Sequence, residues 1–315
     1  MRTFGLIAVF LFAVLSGRSQ TTLREQLQDA RIPSNHFSEA ELNEVVDGTH
    51  DSKNQNIYFV YLRTKGDSLT GLPQVVRYNM KDNMLLRAEI KPEDANICCG
   101  SPEGIDFIDD YLLLTFHVNP SAASVVVLDS KLRVVQTLYG FGIERVAPNQ
   151  VVFTGSMVHF APTHAERLMC ADLRNGKTTE LYPSGNDVLR TAFIGEHRKR
   201  MPSEAVCKQP ENDPCDPDMF DEDVTFLGSD GNGRFAIVVD RDAFHAPAKN
   251  QAPVSVLSES VLYIYAHGVK GWVYCEQKIS ESDSTSFNRS SDRNLYPSVR
   301  DRCIPDVPIV PDRSN

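Results

Sequence analysis

Short apolar runs that recur in groups of four predict an all-β chain assembled from repeats. Three observations carry that prediction. Each run is rich in Val, Leu, Ile and aromatics and is bounded by Asp, Asn, Gly or Pro, as strands are. In each group the second run is the most continuously apolar, as a strand buried on both faces should be, and the fourth is more polar, as at a sheet edge. The second runs begin near Ile57, Tyr111, Val151 and Phe235, so the last step is about twice the one before it.

In chain order the first group is the loosest: 41–48, 56–64, 73–81 and 84–92. The second is the clearest, with PEGIDFIDD (102–110), YLLLTFHVN (111–119), ASVVVLDSK (123–131) and LRVVQTLYG (132–140). The third occupies 143–149, 150–160, 167–175 and 176–184, and the fourth 223–232, 233–242, 261–268 and 271–279. The doubled last step leaves room for one more unit, and VLRTAFIG (188–195) reads as its remnant. A period of ~40–45 residues with four strands per unit is that of a propeller blade. The predicted fold is therefore a four- or five-bladed β-propeller over 41–280. A two-sheet β-sandwich is the alternative, since it uses the same strands but gives no reason for a period.

The first residues address the chain. Arg2 precedes an apolar run from Phe4 to Leu15, and Gly17 and Ser19 suit the positions before a cleavage site. Residues 1–19 are read as a secretory signal peptide, too short to span a bilayer. The expected location is secreted or periplasmic, with no transmembrane segment in the mature chain. The formal net charge is −10, and loss of Arg2 and Arg18 makes it more negative. Such a balance argues against nucleic acid, whose phosphates need a basic face. It matches an anionic membrane surface poorly and suits a cationic or neutral partner.

Seven cysteines in an exported chain point to disulfides. Cys207 with Cys215, flanking a Pro-rich loop, and Cys275 with Cys303 are the candidate pairs. Cys98, Cys99 and Cys170 remain, and no spacing matches a zinc site. REQLQDA (24–30) reads as a short helix in an N-terminal arm covering 20–40. Residues 196–222 read as a long loop insertion, and 281–315 as a flexible, Pro-rich tail with a glycosylation sequon at Asn288.

Candidate chemistry is sparse. His117, His159 and His245 each end the second strand of a unit ahead of a Pro. Converging imidazoles could bind a transition metal or serve as acid–base groups; the bland alternative is a turn cap. Glu103 and Asp106 are a candidate carboxylate pair for glycosyl chemistry. The run 211–224 offers Asp213, Asp216, Asp218, Asp221, Glu222 and Asp223, hard oxygens of the kind calcium takes, although the EF-hand order fails at Phe220. Asp230 to Gly233 reads as a hairpin turn, and Gly140 to Gly142 as a connector between units. There is no G-x-S-x-G, H-E-x-x-H or Walker sequence.

The run PEGIDFIDDYLLLTF followed by SVVVLDSKLRVVQTL resembles blades of the wider β-propeller group. The resemblance is architectural, and the Trp-Asp ending of one propeller class is missing, since Trp272 is followed by Val. It implies a rigid disc with a loop-built face and no particular reaction. Two functions stay open: an exported non-catalytic binding or scaffold protein for a protein, peptide or glycan, or a secreted propeller hydrolase or lyase. The missing catalytic motifs and the acidic balance favour the first.

Overall fold

The computed structural model describes residues 45–62, 73–91, 93, 101–119, 122–155, 166–200, 220–245, 254–290 and 294–305. The chain divides into two compact units, Met1–Gly140 and Phe141–Asn315. The signal peptide, the 24–30 helix, Cys98, Cys99, Cys207 and Cys215 lie outside the described residues.

The first unit opens with a four-stranded antiparallel meander: β1 (Val45–Asp51), β2 (Asn56–Leu62), β3 (Pro73–Asn79) and β4 (Met84–Glu89). Its second meander is β5 (Ser101–Ile108), β6 (Tyr111–Asn119), β7 (Ala122–Leu128) and the first half of β8 (Val134–Ala147). These are the predicted repeats, each strand pairing with its sequence neighbour as in a propeller blade. Ile57 to Tyr61 on β2 are all buried, alternating between two apolar clusters. On β4 no residue is fully buried, as expected of an edge strand.

The connector expected at 140–142 is instead part of β8, which runs on without a break, and the division between units falls inside it. Its second half begins the third meander with β9 (Gln150–Gly155), β10 (Arg167–Asp172) and β11 (Thr178–Tyr182). The fourth is β12 (Phe220–Ser229), β13 (Arg234–His245), β14 (Val254–Gly268) and β15 (Gly271–Ile279). The described strands thus make four meanders in three sheets, not the two sheets of a sandwich. The architecture is β-propeller-like.

One side-chain device recurs at the hairpins. Asp129 Oδ1 accepts from the N–H of Lys131 and Arg133, and Asp230 Oδ1 from those of Asn232 and Arg234. Asp172 Oδ1 does the same for Arg174. A short carboxylate bonding two residues ahead holds a turn that the backbone alone would leave loose. The hairpin predicted at Asp230 to Gly233 is among these.

Three predictions fail, each for a physical reason. The fifth-blade remnant is a helix, α1 (Val188–Arg200). Asp187 caps it, its Oδ1 accepting from Arg190 N at 2.7 Å, and the last turn carries His197, Arg198, Lys199 and Arg200 against the negative helix end. The long loop at 196–222 is therefore helix at its start and strand β12 at its end, with 201–219 outside the described residues.

The flexible tail is structured over its first part: α2 (Glu281–Arg289) is capped by Ser280, and α3 (Tyr296–Val299) follows. Tyr296 and Val299 bury themselves against Leu227, Ala236, Val238, Leu262 and Ile264. Low apolar content hid this, because two anchors suffice when a disulfide, Cys275–Cys303, ties the segment to β15. At Gly228, φ is +122° and Asn294 packs so close that a Cβ would lie 2.0 Å from its Oδ1, so only glycine fits.

Candidate functional site

The fourth sheet of the second unit builds the candidate site. Strand alternation puts Tyr263, Tyr265 and His267 of β14 on one face. Register pairs them with Glu276, Tyr274 and Trp272 of β15, in that order. The result is a ladder of side chains with one polar buried end and one open end. Tyr265 stacks on Phe235 at 4.7 Å between centroids, and Phe235 meets Trp272 edge-on at 5.1 Å. His267 meets Trp272 edge-on at 5.0 Å. Such aromatic pairs add about 0.5–1.5 kcal/mol each beyond burial and fix ring orientation.

At the open end the ladder floors a cavity of about 620 Å³ that lies wholly within the second unit, a volume suited to a small-molecule ligand. Trp272, Tyr274 and Tyr265 meet polar side chains of the β10–β11 hairpin there, among them Asp172, Lys177 and Glu180. The hairpin from β14 to β15 adds Lys270 and turns at Gly271, whose φ of +119° disfavours any side chain. The Trp272 indole hydrogen-bonds the Cys170 thiol, and burial pushes that thiol up to about 11, so Cys170 is no nucleophile. Arg174, hydrogen-bonded to Asp172, holds that carboxyl below its ordinary range, while Glu180 pairs with Arg167 at 3.2 Å.

At the buried end stands Arg241, with no exposed side-chain surface. Its guanidinium donates to Glu222 at 3.0 Å, Glu259 at 2.8 Å, Asp187 at 3.1 Å and the hydroxyls of Tyr182 and Tyr263. Arg190 forks onto Glu222, and Lys278 reaches Glu259 at 2.7 Å. Tyr263 donates to Asp187 and Tyr182 to Glu222. Burial pushes both phenols up, so they stay donors.

Three cations here face three carboxylates, and Glu276 is the fourth acid. Burial, aided by a hydrogen bond to Asp187, raises it to about 7. Its Oε1 accepts from Leu189 N at 3.0 Å, and its buried Oε2 meets no N–H or hydroxyl donor. Burial and the hydrogen bond to Asp187 both favour the protonated form of Glu276 beside the ion network. Together, Asp187 and Glu276 cap α1.

The residues singled out in the sequence fall elsewhere. His117 lies two residues before the end of β6, opposite Ser101 and Ala123, in the first unit, and His245 ends β13 opposite Val254 in the second. His159 lies outside the described residues, as do Asp213, Asp216 and Asp218. Asp221, Glu222 and Asp223 are strand, not loop, opposite Asp242, Arg241 and Asp240, with Glu222 turned into the ion network. Among the described residues no three His, Cys, Asp or Glu side chains group as metal ligands. Glu103 sits at the β5 bulge between Pro102 and Gly104. Asp106 instead feels Asp47: burial and then the Asp47 charge raise its carboxyl, while burial raises Asp47 itself. Sequence reasoning missed Arg241, Asp187, Glu276 and the pocket. The available signals were an Asp ahead of a basic-ended helix and the period-two aromatics of YIYAHG and GWVYCE.

No protein-family description matches this chain, and no curated protein does. Among solved structures, it is similar to the β-propeller domain of the Trilobed protease from Pyrococcus furiosus, at 8% identity and TM-score 0.35, covering 76% of this chain and 71% of that one. It is also similar to a GH43 β-1,3-galactosidase, at 13% identity and TM-score 0.27, covering 73% of each. An exo-β-1,3-galactanase from Phanerochaete chrysosporium matches at 12% identity and TM-score 0.28, covering 75% of this chain and about half, 53%, of that one. At such low identity, what those proteins act on is a property of theirs alone.

Proposed function

We propose that this chain is an exported, non-catalytic binding protein whose pocket in the second unit takes a glycan. One observation carries the reading: an aromatic floor of half-buried Trp272 and Tyr274, backed by buried Tyr265, under a rim of hydrogen-bonding side chains. Sugars present apolar C–H faces to aromatic rings and hydroxyls to polar groups, so such a cavity satisfies both. Export is supported by the Cys275–Cys303 disulfide. Among the described residues, no helix is long and apolar enough to cross a membrane.

Asp172 supports binding over acid catalysis, because a general acid benefits from a raised pKa and Arg174 holds this carboxyl down. A second reading, hydrolase or lyase, rests on Glu276. That carboxyl, at about 7, stands one register step beyond Tyr274 and is suited to proton transfer near neutrality.

Trp272 is the sole tryptophan, so the chain carries its own reporter. Titration with neutral and acidic oligosaccharides should change its intrinsic fluorescence saturably, and Trp272→Phe should remove the signal and weaken calorimetric binding. A flat response across both panels would sink the glycan reading. Sugar fragments released by the wild-type chain but not by Glu276→Gln would favour the enzyme.

A further inference from the structure

We propose that the pocket selects an acidic saccharide, one bearing a uronate carboxylate, and that Lys177 and Lys270 hold that charge; the inference rests on the glycan reading above. The chain is acidic, with 42 carboxylate residues against 32 basic ones, yet the pocket lining carries two acids and two lysines. Its two acids are already satisfied: Asp172 by Arg174 at 2.6 Å, and Glu180 by Arg167. Its two lysines form no ion pair among the described residues, and both line the cavity. The rim therefore offers two uncommitted ammonium groups above an aromatic floor.

Hairpin geometry fixes where those charges stand. Lys177 follows a turn in which Asp172 O accepts from Gly176 N at 3.0 Å, while Lys177 N donates to Asn175 Oδ1 at 2.8 Å. Lys270 sits in the two-residue turn between paired Gly268 and Gly271. The exposed imidazole of His267, edge-on to Trp272, adds a hydrogen-bonding group beside the floor. A sugar ring stacked on Trp272 thus shares the cavity with cationic donors from two different hairpins. An ammonium gains more from a carboxylate than from a hydroxyl, because charge-assisted hydrogen bonds are roughly twice as strong as neutral ones. A local positive field within an acidic molecule also steers such a ligand to this cavity.

The test compares each uronate with its own uncharged form. Oligosaccharides of galacturonate, glucuronate and mannuronate would be titrated by calorimetry and Trp272 fluorescence beside their methyl esters, in low and high salt. The expected result is that at least one uronate binds about tenfold more tightly than its ester, a difference of about 1.4 kcal/mol. High salt should shrink that advantage. The double variant Lys177→Gln, Lys270→Gln should erase it at an unchanged thermal midpoint, weakening the uronate more than its ester. If every uronate binds no better than its ester while some neutral glycan binds, the acidic preference is overturned and the glycan reading stands. If nothing in either panel binds, both fall. A preference that survives the double variant overturns the assignment to these lysines.

Discussion

The two units are made of the same four-strand module and differ in what they bury. In the first, the described core is a pair of apolar clusters around β2, β3, β6 and β7, and its buried polar residues are Thr49, Asp51, Asn56 and Ser124. In the second, Arg241, Glu222 and Asp187 are buried together. The difference comes from inserted elements: α1 brings Asp187 and Arg190, and the C-terminal segment covers the other face of β13 and β14. A repeated apolar pattern makes a scaffold; what is inserted between repeats makes one copy unlike another.

The largest effect is expected where charge is buried. Arg241→Leu leaves Glu222, Asp187 and Glu259 without their shared cation, and removing one partner of a buried ion network costs about 3–5 kcal/mol. Chemical denaturation should show that loss in the second unit; a change under ~1 kcal/mol would mean that the carboxyls simply take up protons. Leu114→Ala is the counterpart in the first unit, at a residue with no exposed surface, and should cost about 2–5 kcal/mol by cavity formation. Its cost should not change with pH between 5 and 8, unlike that of Arg241→Leu.

Replacing both Cys275 and Cys303 by Ser opens a link spanning 28 residues and should cost about 2–4 kcal/mol. Hydrogen exchange should show protection lost over 281–290 and 294–303, with β5 to β7 unaltered. A uniform loss across both units would contradict the local role given to this tie.

The smallest effect concerns pH. Glu276 ionises at an ordinary value of 4.5 when unfolded and at about 7 when folded, so the native state holds its proton more tightly. Its stabilising contribution is full below about pH 4.5 and is lost as pH rises through 7. Glu276→Gln keeps an acceptor for Leu189 N and gives Asp187 a donor, so it should flatten this part of the stability profile. For a half-buried, solvent-screened group the difference between pH 4.5 and 8 is on the order of 1–2 kcal/mol. Parallel profiles for the two chains would refute the raised Glu276 carboxyl.

Legibility varied with how local each cause is. Strands such as Tyr111–Asn119 announced themselves, because burial on both faces demands an unbroken apolar run that no distant residue can change. The hairpin at Asp230 was readable for the same reason, since its bonds reach only two and four residues ahead. Helix α1 was not: VLRTAFIG carries enough β-branched and apolar residues to pass for a strand, and part of its cap, Glu276, lies 87 residues away. Arg241 reads as one more charge in a strand until Glu222, Glu259 and Asp187 arrive from three other segments.

Sequence alone determined the all-β repeat and the strand order within each unit, since apolar period and short-range turn chemistry are written residue by residue; it offered Cys275 with Cys303 as a candidate pair, which the structure joins. Only tertiary structure decided the helix at 188–200, the docked C-terminal segment, the buried ion network and the pocket. Those depend on register: a shift of one residue between β14 and β15 would turn Trp272 and Tyr274 to the opposite face from Tyr265 and His267. No local signal along the chain specifies which face that is.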